Sequence, residues 1–392
     1  MVGIRALTGK DPHNLLTDSK TGNVIWRNEA QVSNHLADIL DKMVHEYFPQ
    51  RYENAMEALD VLQEATVKVN PPKPIQTSTA KRTVNLNPSQ PLPNQNIIEL
   101  GGLGGSQSVE GFLNQKRPKI SIEIFTTVTV NRRGEIMSRP QGQAEVTTEN
   151  IGNGVSLEMV KIPGGRFLMG SSETEAGRLS SEGPQHYVDV PEFFMGKYAV
   201  TQGQWEAVMG NNPSYFKGAS RPVEQVSWYD ATKFCQKLSQ ITGKKYSLPS
   251  ESQWEYACRA GTTTPPFYFG ETITSELVNH RGNDTYADAP KGIYRKETTD
   301  VGIFPPNAFG LYDMHGNVCE WCADEWHDNY DGAPTGESVW LDGNKERSLL
   351  RGGSWADFPV NCRCAVRDFY SRRDAHYNTS GFRVVWDGGI TF

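Results

Sequence analysis

After Gly261 the chain contains no long segment with helical or strand periodicity, and residues 262–350 would have to form mostly loops. Structureless stretches of this length are uncommon inside a compact domain. The fold must therefore be one that accommodates extended loops, whether by packing them together or by holding them with bound ions. A composition with 37 glycines and 23 prolines agrees with a chain rich in turns.

The chain divides into three zones by composition. Residues 1–65 predict a small helical segment, because apolar residues recur at spacings of three and four. Residues 66–118 are rich in Pro, Gly, Asn, Gln and Ser and predict a flexible linker. Residues 119–392 alternate short strand patterns with turns and three helical patterns, which predicts an α+β domain.

Within the third zone, local signals mark turns and helix ends. The stretch ISIEIFTTVTVNRRGEIMSR predicts a hairpin around residues 131–134, and VSLEMVKIPGGRFLMGS predicts a second hairpin that turns at residues 163–165. Three helices are expected, one capped by Thr201, one ending at Gly243 and one capped by Ser250 with a capping box.

Charge and hydropathy exclude several classes of protein. A formal net charge of −7 argues against nucleic-acid binding, which needs clustered Lys and Arg. No apolar run is long enough to cross a bilayer, and the N-terminus lacks a signal-peptide or transit pattern, so a cytoplasmic protein is expected.

Six cysteines do not suggest a disulfide framework in a chain of this length. Cys319 and Cys322 form a CxxC pair, and Cys362 and Cys364 form a CxC pair, so a zinc site on these four is one alternative. No histidine neighbours the second pair in sequence, and reduced, unbonded thiols are favoured over zinc.

A series of collinear motifs carries a family resemblance. The succession IPGGRFLMGS, YAVTQGQWEAVMG, RPVEQVSWYDATKFC, YSLPSESQWEYACRAG, FPPNAFGLYDMHGNVCEW, RGGSW and GFRVV resembles the formylglycine-generating, sulfatase-modifying family. The resemblance implies a C-type-lectin-like α+β domain with long loops, which accounts for residues 262–350.

The enzymatic branches of that family fit this sequence poorly, and no catalytic residue is predicted. The formylglycine-generating oxidases hold Cu(I) with one Cys two residues after the GGS[WY] aromatic and another five residues on. Here Asp357 stands at the first position and Cys362 at the second. The related iron sulfoxide synthases carry an HxxxHxE motif, which the eight histidines do not form.

The variable proteins of diversity-generating retroelements use the same domain, and their hypervariable segment lies between GGSW and GFR. Their varied codons become NNC, which cannot encode Lys, Glu, Gln, Met or Trp. Residues 356–380, within a variable region at 351–385, contain none of these five types. An irregular surface loop of static sequence is the plainer alternative.

This resemblance predicts a non-catalytic binding surface rich in aromatic and small polar side chains, a mixture typical of antibody-like contact surfaces. Scaffold positions between the varied ones would be Pro359, Cys362, Arg363, Ala365, Arg367, Arg372 and Arg373. The ligand-binding residues are expected to be Trp355, Ala356, Asp357, Phe358, Val360, Asn361, Cys364, Val366, Asp368, Phe369, Tyr370, Ser371, His376, Tyr377, Asn378, Thr379 and Ser380.

The motif FGLYDMHGNVCEW implies a structural calcium ion. By resemblance, its ligands would be Asp313, the carbonyls of Gly316 and Val318, and Glu320. The alternative is that Glu320 pairs with an arginine, either Arg351 or Arg383.

Residues 1–65 resemble the end of the C-lobe of bacterial Ser/Thr kinases, especially cyanobacterial ones. The Gly-rich loop, the strand lysine, HRD and DFG are missing, so phosphoryl transfer is excluded. The predicted partners are an unknown protein or other macromolecule, with a Ser/Thr kinase pathway as the alternative, and with neither nucleic acid nor membrane.

Overall fold

The computed structural model describes residues 120–390, without the side chains of residues 368–370 and 389–390. The predicted helical segment at 1–65 and the predicted linker at 66–118 lie outside these residues.

Fourteen strands and three α-helices make up the described part of the chain. The strands are β1 Ile120–Thr126, β2 Thr129–Val130, β3 Ile136–Ser138, β4 Gln141–Asn150, β5 Ser156–Ile162, β6 Gly165–Met169, β7 His186–Val190, β8 Phe193–Gly196, β9 Lys244–Ser247, β10 Cys319–Trp326, β11 Asn344–Arg351, β12 Asp368–Arg372, β13 Ser380–Gly381 and β14 Val385–Ile390. The helices are α1 Gln202–Met209, α2 Trp228–Thr242 and α3 Glu251–Arg259, and two 3₁₀ turns span Ser180–Glu182 and Pro359–Cys362. None of the helices in this part of the chain is long and apolar enough to cross a membrane.

The strands form two larger sheets and two strand pairs. A six-stranded sheet has the order β1-β4-β5-β8-β14-β9, and a four-stranded sheet has the order β12-β11-β10-β13. Strand β14 lies between β8 and β9, with Val385 opposite both Met195 and Ser247. The end of the described chain is therefore built into the sheet that its earlier strands begin.

The helix ends agree with the sequence predictions. Thr201 and Ser250 each accept a hydrogen bond from the third backbone N–H of their helix, and both helices have the reciprocal capping-box bond. Helix α2 ends at Gly243, whose φ of 71° is left-handed and suits glycine.

One of the two predicted hairpins is wrong. Strands β2 and β3 pair across the turn at residues 131–134, as expected. Strands β5 and β6 do not pair, because β5 lies between β4 and β8 whereas β6 pairs with β7. The Pro163–Gly164 step takes the chain from one sheet to another. A Cβ on Gly164 would lie 2.9 Å from the Glu192 nitrogen, so the crossing needs glycine.

The expected long loop is confirmed only in its first part. Residues 262–318 form turns and isolated bridges, with neither a helix nor a strand among them. Strands β10 and β11 then occupy much of what the sequence predicts as loop. Nearly every residue of CEWCADEW is buried, so β10 lacks the alternation that identifies a strand with one exposed face.

The core consists of two buried clusters on which the rest of the fold packs. One includes Trp254 of α3 and Met314, and the other includes Trp321 of β10, Phe234 and Phe382. Both tryptophans are fully buried. The segment 351–385 runs across this core, and its own side chains separate into buried and exposed sets.

Candidate ligand-binding surface

Four buried arginines fix the segment 351–385 to the domain. Arg351, Arg363, Arg367 and Arg383 are each at most 1% exposed. Their carboxylate partners are Glu255 for Arg351, Glu175 and Glu182 for Arg363, Glu251 for Arg367 and Glu320 for Arg383. Breaking a buried pair of this kind leaves an uncompensated charge, so these contacts hold the backbone of the segment in place.

Arg351 also binds the segment through its backbone. Its guanidinium donates to the carbonyl oxygens of Cys364, Ala365 and Val366 at 3.0, 3.0 and 2.8 Å. These three carbonyls need partners because the residues are buried and lie outside any helix or strand. The backbone in the middle of the segment is therefore held in place by Arg351.

Most of the predicted scaffold positions are buried. They are Pro359, Cys362, Ala365 and the arginines 363 and 367. Arg372 is an exception, because its side chain is 66% exposed and pairs with the exposed Asp374. Arg373 is half-buried, with its guanidinium 4.3 Å from the Trp228 ring centre.

Three residues predicted to contact a ligand are buried. Cys364 is 0%, Val366 3% and Ser380 1% exposed. Cys364 and Val366 belong to the continuous buried run 362–367, and Ser380 begins β13 against β10. These three positions belong to the buried scaffold, and the predicted ligand contact does not fit them.

The segment is also more regular than its sequence indicates. It contains a 3₁₀ turn at Pro359–Cys362 and the strands β12 and β13. Of the predicted contact residues on β12, Ser371 is half-buried, whereas the side chains of residues 368–370 lie outside the described set.

The remaining predicted residues lie at the surface to different extents. Phe358 and Tyr377 are 43% and 48% exposed, and His376 is also exposed. The half-buried residues are Trp355, Ala356, Asp357, Val360, Asn361, Asn378 and Thr379. The segment thus presents a few exposed rings above half-buried residues of mixed polarity.

Asp357 is a turn residue. One carboxylate oxygen accepts hydrogen bonds from the Ser354 amide at 2.9 Å and the Ser354 hydroxyl at 2.6 Å. The Cys319 thiol also lies 3.6 Å from this oxygen. These bonds close the turn that precedes Phe358, so Asp357 positions the surface.

Trp355 connects both ends of the segment to other loops. Its ring meets Phe216 edge-on at 5.4 Å and lies nearly parallel to Tyr294 at 6.2 Å. Tyr215, which is 67% exposed, packs on Phe216 at 4.9 Å. Aromatic side chains from two other loops therefore continue the surface beyond the segment.

Arg281, which pairs with Asp284 at 2.8 Å, adds a guanidinium group to this surface. Its guanidinium lies 4.5 Å from the Phe358 ring centre and 5.9 Å from that of Tyr294. We call the set of Tyr215, Phe216, Arg281, Tyr294, Trp355, Phe358, His376 and Tyr377 the display surface. The first four were not predicted, and the one available signal was the aromatic pair Tyr215–Phe216 in a loop rich in Asn, Pro and Gly.

A buried glutamate supports the loop that carries Tyr215 and Phe216. Glu224 accepts a hydrogen bond from the Phe216 amide at 2.7 Å, and its other carboxylate oxygen is buried without a partner among the described atoms. Burial raises the pKa of Glu224 to about 7, against the opposing hydrogen bonds from the 215–216 backbone. The carboxyl group is therefore poised to change its protonation near neutral pH.

The residues of the predicted calcium site do not fit the ion well. Both oxygens of Glu320 accept from Arg383 at 2.7 Å, and one also accepts from the Trp254 indole at 2.7 Å. Asp313 accepts from the Gly302 amide at 2.7 Å, and burial raises its pKa to about 6. Calcium prefers six to eight oxygens, and Arg383 places a positive charge on the main donor.

The structure thus shows the alternative in which Glu320 pairs with an arginine, here Arg383. The carbonyl groups of Gly316 and Val318 add too few donors to change this result. Calcium stays a prediction, and no role for it is derived.

The cysteine pairs of the sequence do not meet as the zinc alternative required. No disulfide joins the six cysteines, all of which are buried. Cys364 lies 3.7 Å from Cys258 and 4.0 Å from His315, so a histidine does neighbour it in space. At the oxidase copper position, Asp357 bonds to Ser354, and the Cys362 thiol lies 3.7 Å from the Phe358 carbonyl.

A sulfatase-modifying factor enzyme 1-like domain matches residues 147–388. The chain belongs to this family. The sulfatase-modifying factor match includes α1 to α3, the segment 351–385 and most of the six-stranded sheet. It leaves out residues 1–65, so the kinase resemblance lies outside both the family match and the described structure.

Three proteins resemble the domain in sequence or in structure. LppX of Paenibacillus barcinonensis, named as a chaperone protein, is 31% identical over 242 residues, or 51% of this chain and 79% of LppX. PvdO from Pseudomonas aeruginosa superposes with a TM-score of 0.54 at 34% identity, over 62% of this chain and 98% of PvdO. Treponema denticola variable protein 1 superposes with a TM-score of 0.52 at 27% identity, over 62% of this chain and 99% of that chain.

These similarities confirm the predicted C-type-lectin-like α+β fold of the sulfatase-modifying factor type. They also confirm the resemblance to the variable proteins, because one structural neighbour is a variable protein.

Proposed function

We propose that this sulfatase-modifying factor domain is a non-catalytic binding module whose display surface recognises a macromolecular ligand. The observation that carries the proposal is that the side chains of residues 351–385 separate into a buried set and an exposed set. Arg351, Arg363, Arg367 and Arg383 face inward onto carboxylates, whereas Phe358, His376 and Tyr377 face solvent. A segment built in this way keeps its backbone conformation when its exposed residues are replaced.

The chemistry of the display surface suits a protein ligand. Six of its eight residues are aromatic, and large rigid rings provide contact area at little cost in side-chain entropy. Trp, Tyr and Arg are also the residues most enriched at energetically dominant interface positions. Half-buried polar groups such as Asn361 and Thr379 supply adaptable hydrogen bonds around the rings.

We further propose that the outer residues are diversified by a retroelement. Support comes from the five residue types missing from residues 356–380 and from the likeness to Treponema denticola variable protein 1. The test is to sequence the DNA around the gene. A nearby near-copy of codons 351–385 that differs only at adenines, beside a reverse transcriptase gene, would support diversification. A locus without such a copy would contradict it and leave a binder of fixed sequence.

The rival function is oxidation of a substrate cysteine by the family's copper chemistry. Asp357 is a hard ligand that already bonds to Ser354, and it is a poor substitute for a thiolate on Cu(I). Stoichiometric Cu(I) binding that is lost in Cys362→Ala would overturn the binding-module proposal. Copper binding that survives this substitution would leave the proposal intact.

A role of residues 1–65 in a kinase pathway is the second alternative. It predicts that deletion of residues 1–65 removes a kinase partner from a pull-down while the remaining domain keeps its thermal unfolding transition. Retention of the same partners after the deletion would count against it.

A further inference from the structure

Cys258, His315 and Cys364 form a compact cluster in the interior of the domain. Cys258 is on α3, His315 lies in the long loop before β10, and Cys364 lies in the buried run of the segment 351–385. Each of the three is at most 1% exposed. Among the residues that the structure describes, this is the one group of three possible metal ligands whose donor atoms all lie within 4.8 Å of one another.

The two sulfurs have the spacing of ligands on a shared ion. Sγ of Cys258 and Sγ of Cys364 are 3.7 Å apart. Two thiolates bound to one ion at about 2.3 Å with an angle between trigonal and tetrahedral are separated by a similar distance. A disulfide would require the same atoms to approach to about 2.05 Å.

The imidazole of His315 completes the cluster. Its Nδ1 lies 3.9 Å from the Cys258 sulfur, and its Nε2 lies 4.0 Å from the Cys364 sulfur. The Tyr268 amide donates to Nε2 at 3.2 Å, and the Tyr268 ring stacks on the imidazole at 4.7 Å. Binding through Nε2 would give up this one neutral hydrogen bond in exchange for a coordinated ion.

We propose that Cys258, Cys364 and His315 bind one copper(I) ion in three-coordinate geometry. Soft thiolates with one imidazole favour a soft d¹⁰ ion. Structural zinc usually takes four Cys or His ligands, and the described surroundings add aromatic rings such as Phe267 and Tyr268 and the Met314 carbonyl, 3.8 Å from the Cys258 sulfur. This site is separate from the oxidase position at Asp357 and Cys362, and it does not depend on the binding function.

The test is a titration of the reduced full-length chain with Cu(I) in competition with a colorimetric copper(I) chelator. The expected result is one equivalent bound, with affinity at least 100-fold lower in Cys258→Ser and in Cys364→Ser. The matched controls are Cys362→Ser and Cys235→Ser, two buried thiols outside the cluster, which should bind like the unaltered chain. X-ray absorption of the copper form should show two sulfur neighbours and one nitrogen neighbour.

Thermal unfolding of each variant without copper separates lost binding from lost folding. If both cysteine variants fail to fold, His315→Gln should keep the sulfur neighbours in the absorption spectrum, lose the nitrogen and weaken copper binding at least tenfold. Binding lost only in Cys362→Ser, preference for Zn²⁺ over Cu(I), or a Cys258–Cys364 disulfide detected by mass spectrometry in place of metal would each overturn the proposal.

Discussion

The indole nitrogen of Trp355 donates a hydrogen bond to the carbonyl oxygen of Asn378 at 2.9 Å. This bond joins the two ends of the segment 351–385 across 23 residues. Between these ends, the backbone is held by Arg351 and by the ion pairs of Arg363 and Arg367. The loop that bears His376 and Tyr377 is therefore held close to the turn that bears Phe358.

Replacing Trp355 with Phe should remove this bond and keep most of the aromatic packing. We expect the free energy of unfolding to fall by about 1 kcal/mol, the usual net contribution of one hydrogen bond. Urea denaturation measures this change. Phe358→Ala is the matched control, since its ring is exposed and its removal should leave the urea midpoint nearly unchanged. Equal losses in both variants would contradict the role assigned to the indole nitrogen.

Arg383→Met should destabilise the domain strongly, because Glu320 would remain buried without its partner. Loss of one member of a buried ion pair costs about 3–5 kcal/mol. Arg372→Met is the control, since Arg372 pairs with Asp374 at the surface and its loss should not change the transition measurably. The double variant Arg383→Met with Glu320→Leu should recover part of the loss. A double variant no more stable than Arg383→Met alone would show that the packing of Arg383, and not its charge, matters.

The exposed residues of the segment should tolerate replacement. The triple variant Phe358→Ser, His376→Ser and Tyr377→Ser should unfold within a few degrees of the unaltered chain, as surface substitutions usually do. Val366→Ser, a single change at a buried position of the same segment, should cost about 2–4 kcal/mol through lost packing and a buried hydroxyl. Calorimetry compares the two. A triple variant that unfolds earlier than Val366→Ser would contradict the division into scaffold and display surface.

Glu224 should make stability depend on pH. Its pKa of about 7 lies above the ordinary value of 4.5, so the folded state binds the proton more tightly than the unfolded state. The stabilisation is complete below the ordinary pKa and is lost as pH rises through 7. Glu224→Gln should therefore lose stability relative to the unaltered chain at pH 4.5 and regain it towards pH 8. Melting temperatures across this range measure the difference, and a difference that does not vary with pH would contradict the assignment.

The local signals in the sequence predicted the helices well. Caps at Thr201 and Ser250 and a terminator at Gly243 depend on neighbouring residues alone, so periodicity and turn chemistry were enough. The sequence could not distinguish a hairpin from a sheet-to-sheet crossing at residues 163–165, because both need a glycine-containing turn. It also missed β10, whose two buried faces remove the alternation.

Within the candidate site, the sequence predicted which arginines belong to the scaffold better than it predicted which residues they contact. Arg363 and Arg367 were correctly expected to be scaffold, but their partners Glu182 and Glu251 lie more than 100 positions away along the chain. The same is true of Cys258 and Cys364, which are separated by 106 positions. Such pairs arise from topology, so neither spacing nor composition indicates them.

The carboxylates that hold the four buried arginines all come from outside residues 351–385. The segment therefore carries its own anchoring arginines, whereas the carboxylates that pair with them belong to the rest of the domain. A segment from a related domain should fit this one where it keeps the four arginines and the other buried residues, whatever rings stand at its exposed positions.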